Sequence, residues 1–432
     1  MNNININIAG LGNVGSYLIK YIENNTSSLE KKLNKKIIIS GICAKNKNKK
    51  RIFSIKNYQW FDDPIEMINE SKPDLFIELM GYEKGISYDS IKHSLNNNIN
   101  VISANKALIA HHGNELIDIA DNNKLAFLFE AAVAGGIPIV KSIKDLMVGN
   151  NFYKISAILN GTTNYILSNM TEKNIDYKEA LEDAQKKGYV ESNPDLDIMG
   201  LDSAHKISIL SSLAFKCKIL KFNNIYTEGI SKINKHDIEF ARQLNYVIKL
   251  LSVAKIKDNK LVIFVRPIMI NDKSQLAQVN DVLNGIQIYS QELGEIFFEG
   301  KGAGGEPTTN SIISDIIEYN SKKSFSSLGI DFKSLRICDN LSIDNEYSSY
   351  YIRMEVADKP GVLANITSLL KDNNISIETL IQNPQNKQNI SDYIPLVFTT
   401  HETYFKNMNE CIKKISLLEA IKNTPIIIQI EK

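Results

Sequence analysis

The chain of 432 residues carries 50 basic and 49 acidic side chains, a formal balance of +1 that gives no support for a nucleic-acid or anionic-membrane partner. Its length suggests roughly three domains, each large enough to bury its own core. The four cysteines (Cys43, Cys217, Cys338 and Cys411) never fall in a paired spacing, so a reduced, cytoplasmic protein without a zinc site is expected.

At the amino end, NININIAG alternates apolar and polar residues as a half-exposed strand does, and does not read as a signal peptide. No apolar run approaches the ~18 residues of a membrane span. INIAG (6–10), IIISGICA (37–44), DLFIELM (74–80), INVISA (99–104) and LAFLFEA (125–131) are short apolar runs separated by helix-like stretches. That alternation predicts an α/β fold, a parallel sheet with helices on both faces. Near residue 135 the pattern changes. YKISAILNG (153–161) reads as a strand feeding a helix from TTNYIL, and DYKE (176–179) offers a capping box with Gly188 as the helix stop. Strands at KLVIFVRP (260–267), GIQIYS (285–290) and EIFFEG (295–300) predict a mixed, partly antiparallel layer. The glycine cluster GKGAGGEPTTN (300–310) opens a further helix, and the pattern-poor stretch from about 321 to 347 reads as a linker. The remaining runs follow the order βαββαβ, a ferredoxin-like arrangement.

GLGNVG places Gly10, Gly12 and Gly15 directly between the first strand and an amphipathic helix. Gly10 can make the tight turn, Gly12 lets a pyrophosphate approach the backbone, and Gly15 lets helix pack on strand. The free N–H groups of the helix then face the phosphates. The second strand ends in Ala44, Lys45 and Asn46, with Arg51 close by, where a carboxylate would select the ribose hydroxyl of NAD. Cations there suit the 2′-phosphate of NADP. A solvated basic turn is the other reading, so the choice between NADP and NAD stays open.

Two lysines stand out. Lys106, in ISANKALIA, lies just beyond the carboxyl end of a predicted parallel strand, where open α/β sheets bind ligands. Lys206 lies in GLDSAHKISILSSLAFKC, whose apolar residues cover most directions of a helix and argue for burial. Asp202 and Lys206 are spaced i, i+4 and share a face, and the preceding loop brings Glu191, Asp195 and Asp197 toward the same end. Such a cluster suits a small zwitterionic substrate, with carboxylates holding its ammonium group and a lysine acting on a hydroxyl that becomes a carbonyl. Nearby carboxylates raise a lysine's pKa above ~10.4, whereas a base at neutral pH needs it lowered; a second cation such as Lys106 would oppose that rise.

The run AQKKGYVESNPDLDIMGLDSAHK resembles the signature segment of the homoserine dehydrogenase family. The similarity continues through GLGNVG, SANKALIA, FEAAVAGGIPIV, LNGTTNYIL, GKGAGGEPT and VADKPGVLANI, so it spans the whole chain. The resemblance implies NAD(P)-dependent interconversion of L-homoserine and L-aspartate 4-semialdehyde, on the route to threonine and methionine. It implies a Rossmann-type dinucleotide-binding domain (1–134 and 305–325), an α+β catalytic and dimerisation domain (135–304), a linker (326–347) and a carboxyl-terminal ferredoxin-like ACT domain (348–432).

Carried over position by position, the resemblance makes Lys206 and Lys106 catalytic, and Glu191, Asp202, Asp197, Tyr189 and Thr162 substrate-binding. Gly10, Gly12, Asn13, Val14, Gly15, Lys45, Ser103, Lys106, Gly188, Gly302 and Gly304 would lie at the cofactor. It also implies a sodium ion on the main-chain carbonyls of Glu130, Val133, Gly135 and Ile137, a homodimer or homotetramer, and threonine as feedback effector at the ACT domain. Val190 departs from the pattern, since family members usually carry a smaller residue there.

Two rival readings are weaker. Aspartate semialdehyde dehydrogenase shares the nucleotide fold but needs a nucleophilic cysteine, and none of the four sits at a strand-to-helix turn. A non-catalytic amino-acid sensor would have no use for a buried base. No kinase-length segment precedes Met1, so a fusion to aspartokinase is not expected.

Overall fold

The computed structural model describes residues 3–190, 194–382 and 393–431. The amino-terminal apolar runs form β1 (Asn3–Ala9), β2 (Lys36–Cys43), β3 (Trp60–Phe61), β4 (Leu75–Glu78), β5 (Asn100–Ser103) and β6 (Phe127–Leu128). All pair in parallel, in the order β3-β2-β1-β4-β5-β6. The order reverses at β1 and β4, which opens a crevice beyond their carboxyl ends. Close packing around the glycines shapes that crevice. A Cβ on Gly10 (φ 100°) would lie 2.3 Å from the Leu79 carbonyl, and one on Gly15 would lie 2.0 Å from the Gly10 oxygen. The helix Gly305–Ser321 returns to this region, burying Ile312, Ile313 and Ile316 in the same core as β1.

The second sheet contains β7 (Phe152–Ile158), β8 (Tyr226–Thr227), β9 (Tyr246–Lys257), β10 (Lys260–Asn271), β11 (Leu283–Ser290) and β12 (Gly294–Lys301). Its spine is the long β9–β10 hairpin, paired from Lys260↔Lys257 to Asn271↔Tyr246. The sequence reading missed β9, because both faces of its central stretch are buried and the charge inside that stretch, Lys249, is buried too. Lys249 donates to the Val279 carbonyl at 2.6 Å and to the Asn164 and Asn280 side chains.

Two local expectations change. Asp176 does not close a capping box; its carboxylate accepts from the N–H groups of Tyr177 and Lys235. A capping box does exist at Asn234, whose side chain caps Asp237 while the Asp237 carboxylate accepts from the Asn234 N–H. The stretch expected as a linker is also strapped down: Leu328, Phe332 and Leu335 are buried, and Arg336 exchanges main-chain bonds with Lys216 and Lys218.

The final segment supplies β13 (Tyr347–Ala357), β14 (Ile377–Ile381), β15 (Tyr393–Thr400), β16 (Thr403–Tyr404) and β17 (Ile426–Glu431). They run β17-β13-β15-β14, with the helices Val362–Asp372 and Phe405–Ile415 sharing one core on this sheet, and β16 pairs with β13. This sheet is not separate from the previous one. β17 also pairs in parallel with β10, Ile268–Ile270 against Gln429–Glu431, so a single sheet crosses from one half to the other. On one face of the join, the buried Asp237 carboxylate accepts from Arg353 Nε at 2.7 Å, Arg353 Nη2 at 3.2 Å and the Tyr351 hydroxyl at 3.0 Å.

Candidate active site

β7 runs out into Leu159 and Asn160, and Asn160 caps the helix Gly161–Lys173 by accepting from the Thr163 N–H at 2.8 Å. Its amide nitrogen donates to Asp197 Oδ1 at 2.7 Å and to Asp202 Oδ2 at 3.0 Å, bridging two carboxylates that would otherwise repel. Asp202 and Lys206 sit in the first turns of the helix Leu201–Phe215, each only 7% exposed. Lys206 Nζ donates to Asp202 Oδ2 at 2.7 Å and to the Leu159 carbonyl at 2.6 Å. Lys106, the first residue of the helix after β5, reaches the other Asp202 oxygen at 3.0 Å. One buried carboxylate therefore joins both lysines.

Burial pushes the Lys206 ammonium below its ordinary range, and Lys106 adds to that push, while Asp202 opposes it. Desolvation thus outweighs the carboxylate beside the amine. Burial alone would raise Asp202, yet Lys206 and Lys106 hold it well below the usual carboxylate range. Asp197 moves the other way: burial, helped by the charge on Asp202, raises it. Of the remaining expected substrate ligands, the Thr162 hydroxyl donates to the Tyr189 carbonyl at 2.9 Å, and the Tyr189 ring packs on Tyr165. Glu191 lies outside the described residues.

The crevice between β1 and β4 is a cleft of about 1020 Å³, lined by Gly10, Gly12, Lys45, Arg51, Leu79 and Tyr82 among others. A Cβ on Gly12 would meet only open space, so the first free N–H groups of the helix Asn13–Asn24 are approachable by phosphate. Glu78, fully buried beneath the cleft, accepts from the N–H of Met80 and Gly81 and from the Ser103 hydroxyl, fixing the loop after β4. Arg51 donates to the carbonyls of Asn46, Lys47 and Lys49 and stacks 5.3 Å from the Trp60 ring. It therefore holds the basic loop in shape, and Lys45, Lys47 and Lys49 line the cleft beside it. Of the residues expected at the cofactor, Gly10, Gly12 and Lys45 line this cleft, and Asn13, Val14, Gly15, Ser103, Lys106, Gly188, Gly302 and Gly304 do not. Gly302 packs against Asn284, and Gly188 takes the left-handed turn (φ 74°) after the helix Tyr177–Lys186.

Residues 10–130 match the NAD binding domain of homoserine dehydrogenase, residues 138–317 match homoserine dehydrogenase, and residues 350–416 match the ACT domain. The chain is 37% identical over 430 residues to a homoserine dehydrogenase of Helicobacter pylori, spanning 99% of each. It is 34% identical over 437 residues to one of Neisseria gonorrhoeae, spanning 100% of this chain and 99% of that one. The crystal structure of a homoserine dehydrogenase from Thiobacillus denitrificans superposes with a TM-score of 0.91 at 30% identity, covering 100% of this chain and 99% of that one.

The chain belongs to the homoserine dehydrogenase family. Homoserine dehydrogenases are NAD(P)-dependent oxidoreductases acting on a CH–OH group, and this chain carries that activity, the interconversion of L-homoserine and L-aspartate 4-semialdehyde. The ACT match falls on the βαββαβ segment, as the strand order implies. Sequence reasoning gave no role to Asn160 or Glu78. The asparagine just before GTT, at a strand-to-helix junction, was the available sign of a cap; its contacts with Asp197 and Asp202 lie too far along the chain to read. The loop of the expected sodium site is tightly bent, with Ala134 (φ 54°) and Gly135 (φ 49°) both left-handed. Its Gly135 carbonyl accepts from the Ser311 hydroxyl at 2.6 Å and its Ile137 carbonyl from the Ile139 N–H at 2.8 Å.

Because a Cβ at Gly15 would collide with the Gly10 carbonyl, Gly15→Ala is expected to push the helix Asn13–Asn24 off the strand and raise the cofactor Kd at least about tenfold. The sole tryptophan, Trp60, stands by the cleft, so quenching of its fluorescence during cofactor titration reads the change.

Proposed function

We propose that Lys206 is the proton acceptor in homoserine oxidation and the donor in the reverse direction. The observation that carries this reading is its bonding. A neutral amine has two N–H groups and one lone pair, and two donations, to Leu159 and Asp202, leave the lone pair for a substrate hydroxyl. Asp202, held in place by Asn160, keeps the amine oriented, and Lys106 is the second cation on that carboxylate. Asp197, Asp202 and Glu191 bind the substrate ammonium, with Thr162 and Tyr189 at the pocket wall. The nicotinamide, when bound, supplies the hydride acceptor. The glycine cradle at Gly10, Gly12 and Gly15 fits the pyrophosphate, Asn13 and Val14 offer it helix N–H groups, and Ser103 braces the cleft floor through Glu78.

Lys45, Lys47 and Lys49 support NADP over NAD. Nicotinamide reduction with L-homoserine is expected to give a higher kcat/KM with NADP, and Lys45→Glu to reverse or erase that preference. Equal values for both cofactors in the wild type would reject the reading.

A sodium ion on the carbonyls of Glu130, Val133, Gly135 and Ile137 is compatible with the bent loop, since each oxygen bonded by Ser311 or Ile139 keeps a second lone pair. The cleft at Asp358, Lys359, Pro360 and Gly361, before the helix Val362–Asp372, supports an amino-acid effector such as threonine at the ACT domain. Threonine added to the same assay tests it. Unpaired thiols at all four cysteines support a cytoplasmic enzyme, which we read as a homodimer or homotetramer; among the described residues no helix is long and apolar enough to cross a membrane. The division of the chain at residues 134, 304, 325 and 347 is part of the same reading, supported by the helix Gly305–Ser321 packing back onto the first sheet.

A further inference from the structure

Beside the catalytic cluster lies a second contact between the same two helices. His205 Nε2, on the helix Leu201–Phe215, meets His111 Nε2, on the helix Lys106–Asn122, at 3.3 Å. Both rings pack on Phe222, His205 at 4.3 Å and His111 at 5.1 Å between centroids. His205 is only 7% exposed, and burial, helped by His111, lowers its pKa to about 4, so its imidazole is neutral at physiological pH. His111 Nδ1 faces Glu83 Oε1 at 3.8 Å. In the tautomer with the His111 proton on Nδ1, toward that carboxylate, Nε2 accepts and His205 Nε2–H donates. Glu83 belongs to the loop after β4, whose Leu79, Met80 and Tyr82 line the cofactor cleft.

We propose that Glu83, His111 and His205 form a positioning relay from the cofactor loop to the helix that carries Lys206. Asp202 and His205 are three residues apart and lie on one helical face, so the Lys106–Asp202 and His111–His205 contacts pin that face at two points. The helix is already buried and held at this end by the Asn160–Asp202 and Lys206–Leu159 bonds, and the imidazole contact adds a second, directional tie to the helix that carries Lys106. Further along, Asn114 bonds the main chain of Ile219 at both N–H (2.9 Å) and carbonyl (2.8 Å), holding the segment after the catalytic helix, not its reacting end. The relay thus sets where the Lys206 amine stands relative to the nicotinamide site. Histidine serves here as a positioning residue, not as an acid or base in the reaction. The inference rests on Lys206 being the base.

His205→Leu keeps the bulk and removes the donor. It is expected to lower kcat about tenfold or more, with KM for the cofactor and the Trp60-quenching Kd within about twofold of wild type. With homoserine deuterated at the reacting carbon, the isotope effect on kcat rises, because hydride transfer becomes limiting. His205→Gln, which restores an N–H donor, recovers most of the rate. His111→Leu gives the same reading from the less buried partner should His205→Leu fail to fold. Wild-type kcat and isotope effect in the leucine variants, or a glutamine variant as slow as leucine, overturn the relay. Lys206→Ala belongs in the same series: if it keeps its rate, the base assignment falls and the relay with it. If it is dead beside a full-rate His205→Leu, the relay alone falls.

Discussion

Replacing Lys206 with alanine is expected to cut the rate of homoserine oxidation by about 10²–10⁴-fold, the range over which a positioned general base contributes, while cofactor binding measured through Trp60 stays unchanged. The cofactor cleft and the lysine belong to different elements, so the two readouts separate chemistry from binding. The pH profile gives a second handle. Only the neutral amine accepts the hydroxyl proton, and burial and Lys106 lower the Lys206 pKa from its ordinary 10.5. The oxidation rate should therefore rise with pH to a plateau whose midpoint lies below 10.5, and reduction of the semialdehyde, which needs the ammonium, should fall across the same interval. Lys206→Ala should lose that limb. A variant that keeps both the rate and the limb would show that another group carries the proton.

The second large effect lies far from the chemistry. Asp237→Ala leaves the Arg353 guanidinium buried without its carboxylate, at a cost of about 3–5 kcal/mol, and also removes the capping box at Asn234. Urea unfolding should show a midpoint shift of that size. Because most of the cost comes from the stranded charge, Asp237→Ala combined with Arg353→Met should regain much of the loss. If the single variant unfolds within about 0.5 kcal/mol of wild type, the magnitude expected for a surface substitution, the join between the halves does not depend on this pair.

What could be read along the sequence was what is local. β1, the glycine turn and the helix after it announce themselves within a few residues, and Asp202 with Lys206 share a helical face by spacing alone. Burial of that helix was also legible, because Ala204, Ile207, Ile209, Leu210, Leu213, Ala214 and Phe215 cover most of its directions. What escaped depends on residues distant in the chain. Asn160 bridges Asp197 and Asp202 only after β7 and the catalytic helix have met, and Asp237 finds Arg353 only across the join. β9 escaped for another reason: a strand buried on both faces has no alternation to betray it. DYKE offered a capping box on paper, but Lys235, from another segment, draws Asp176 instead.

The pairing of β17 with β10 also sets an order of assembly. β10 is synthesised long before β17, so this stretch of the catalytic sheet's edge stays open on the growing chain until the ACT segment has emerged and folded back. An open edge of this kind invites pairing with other chains. The catalytic sheet therefore matures only once the ACT segment has arrived, and variants that slow the folding of that segment should show themselves first as aggregation of nascent protein, before any change in the activity of the folded enzyme.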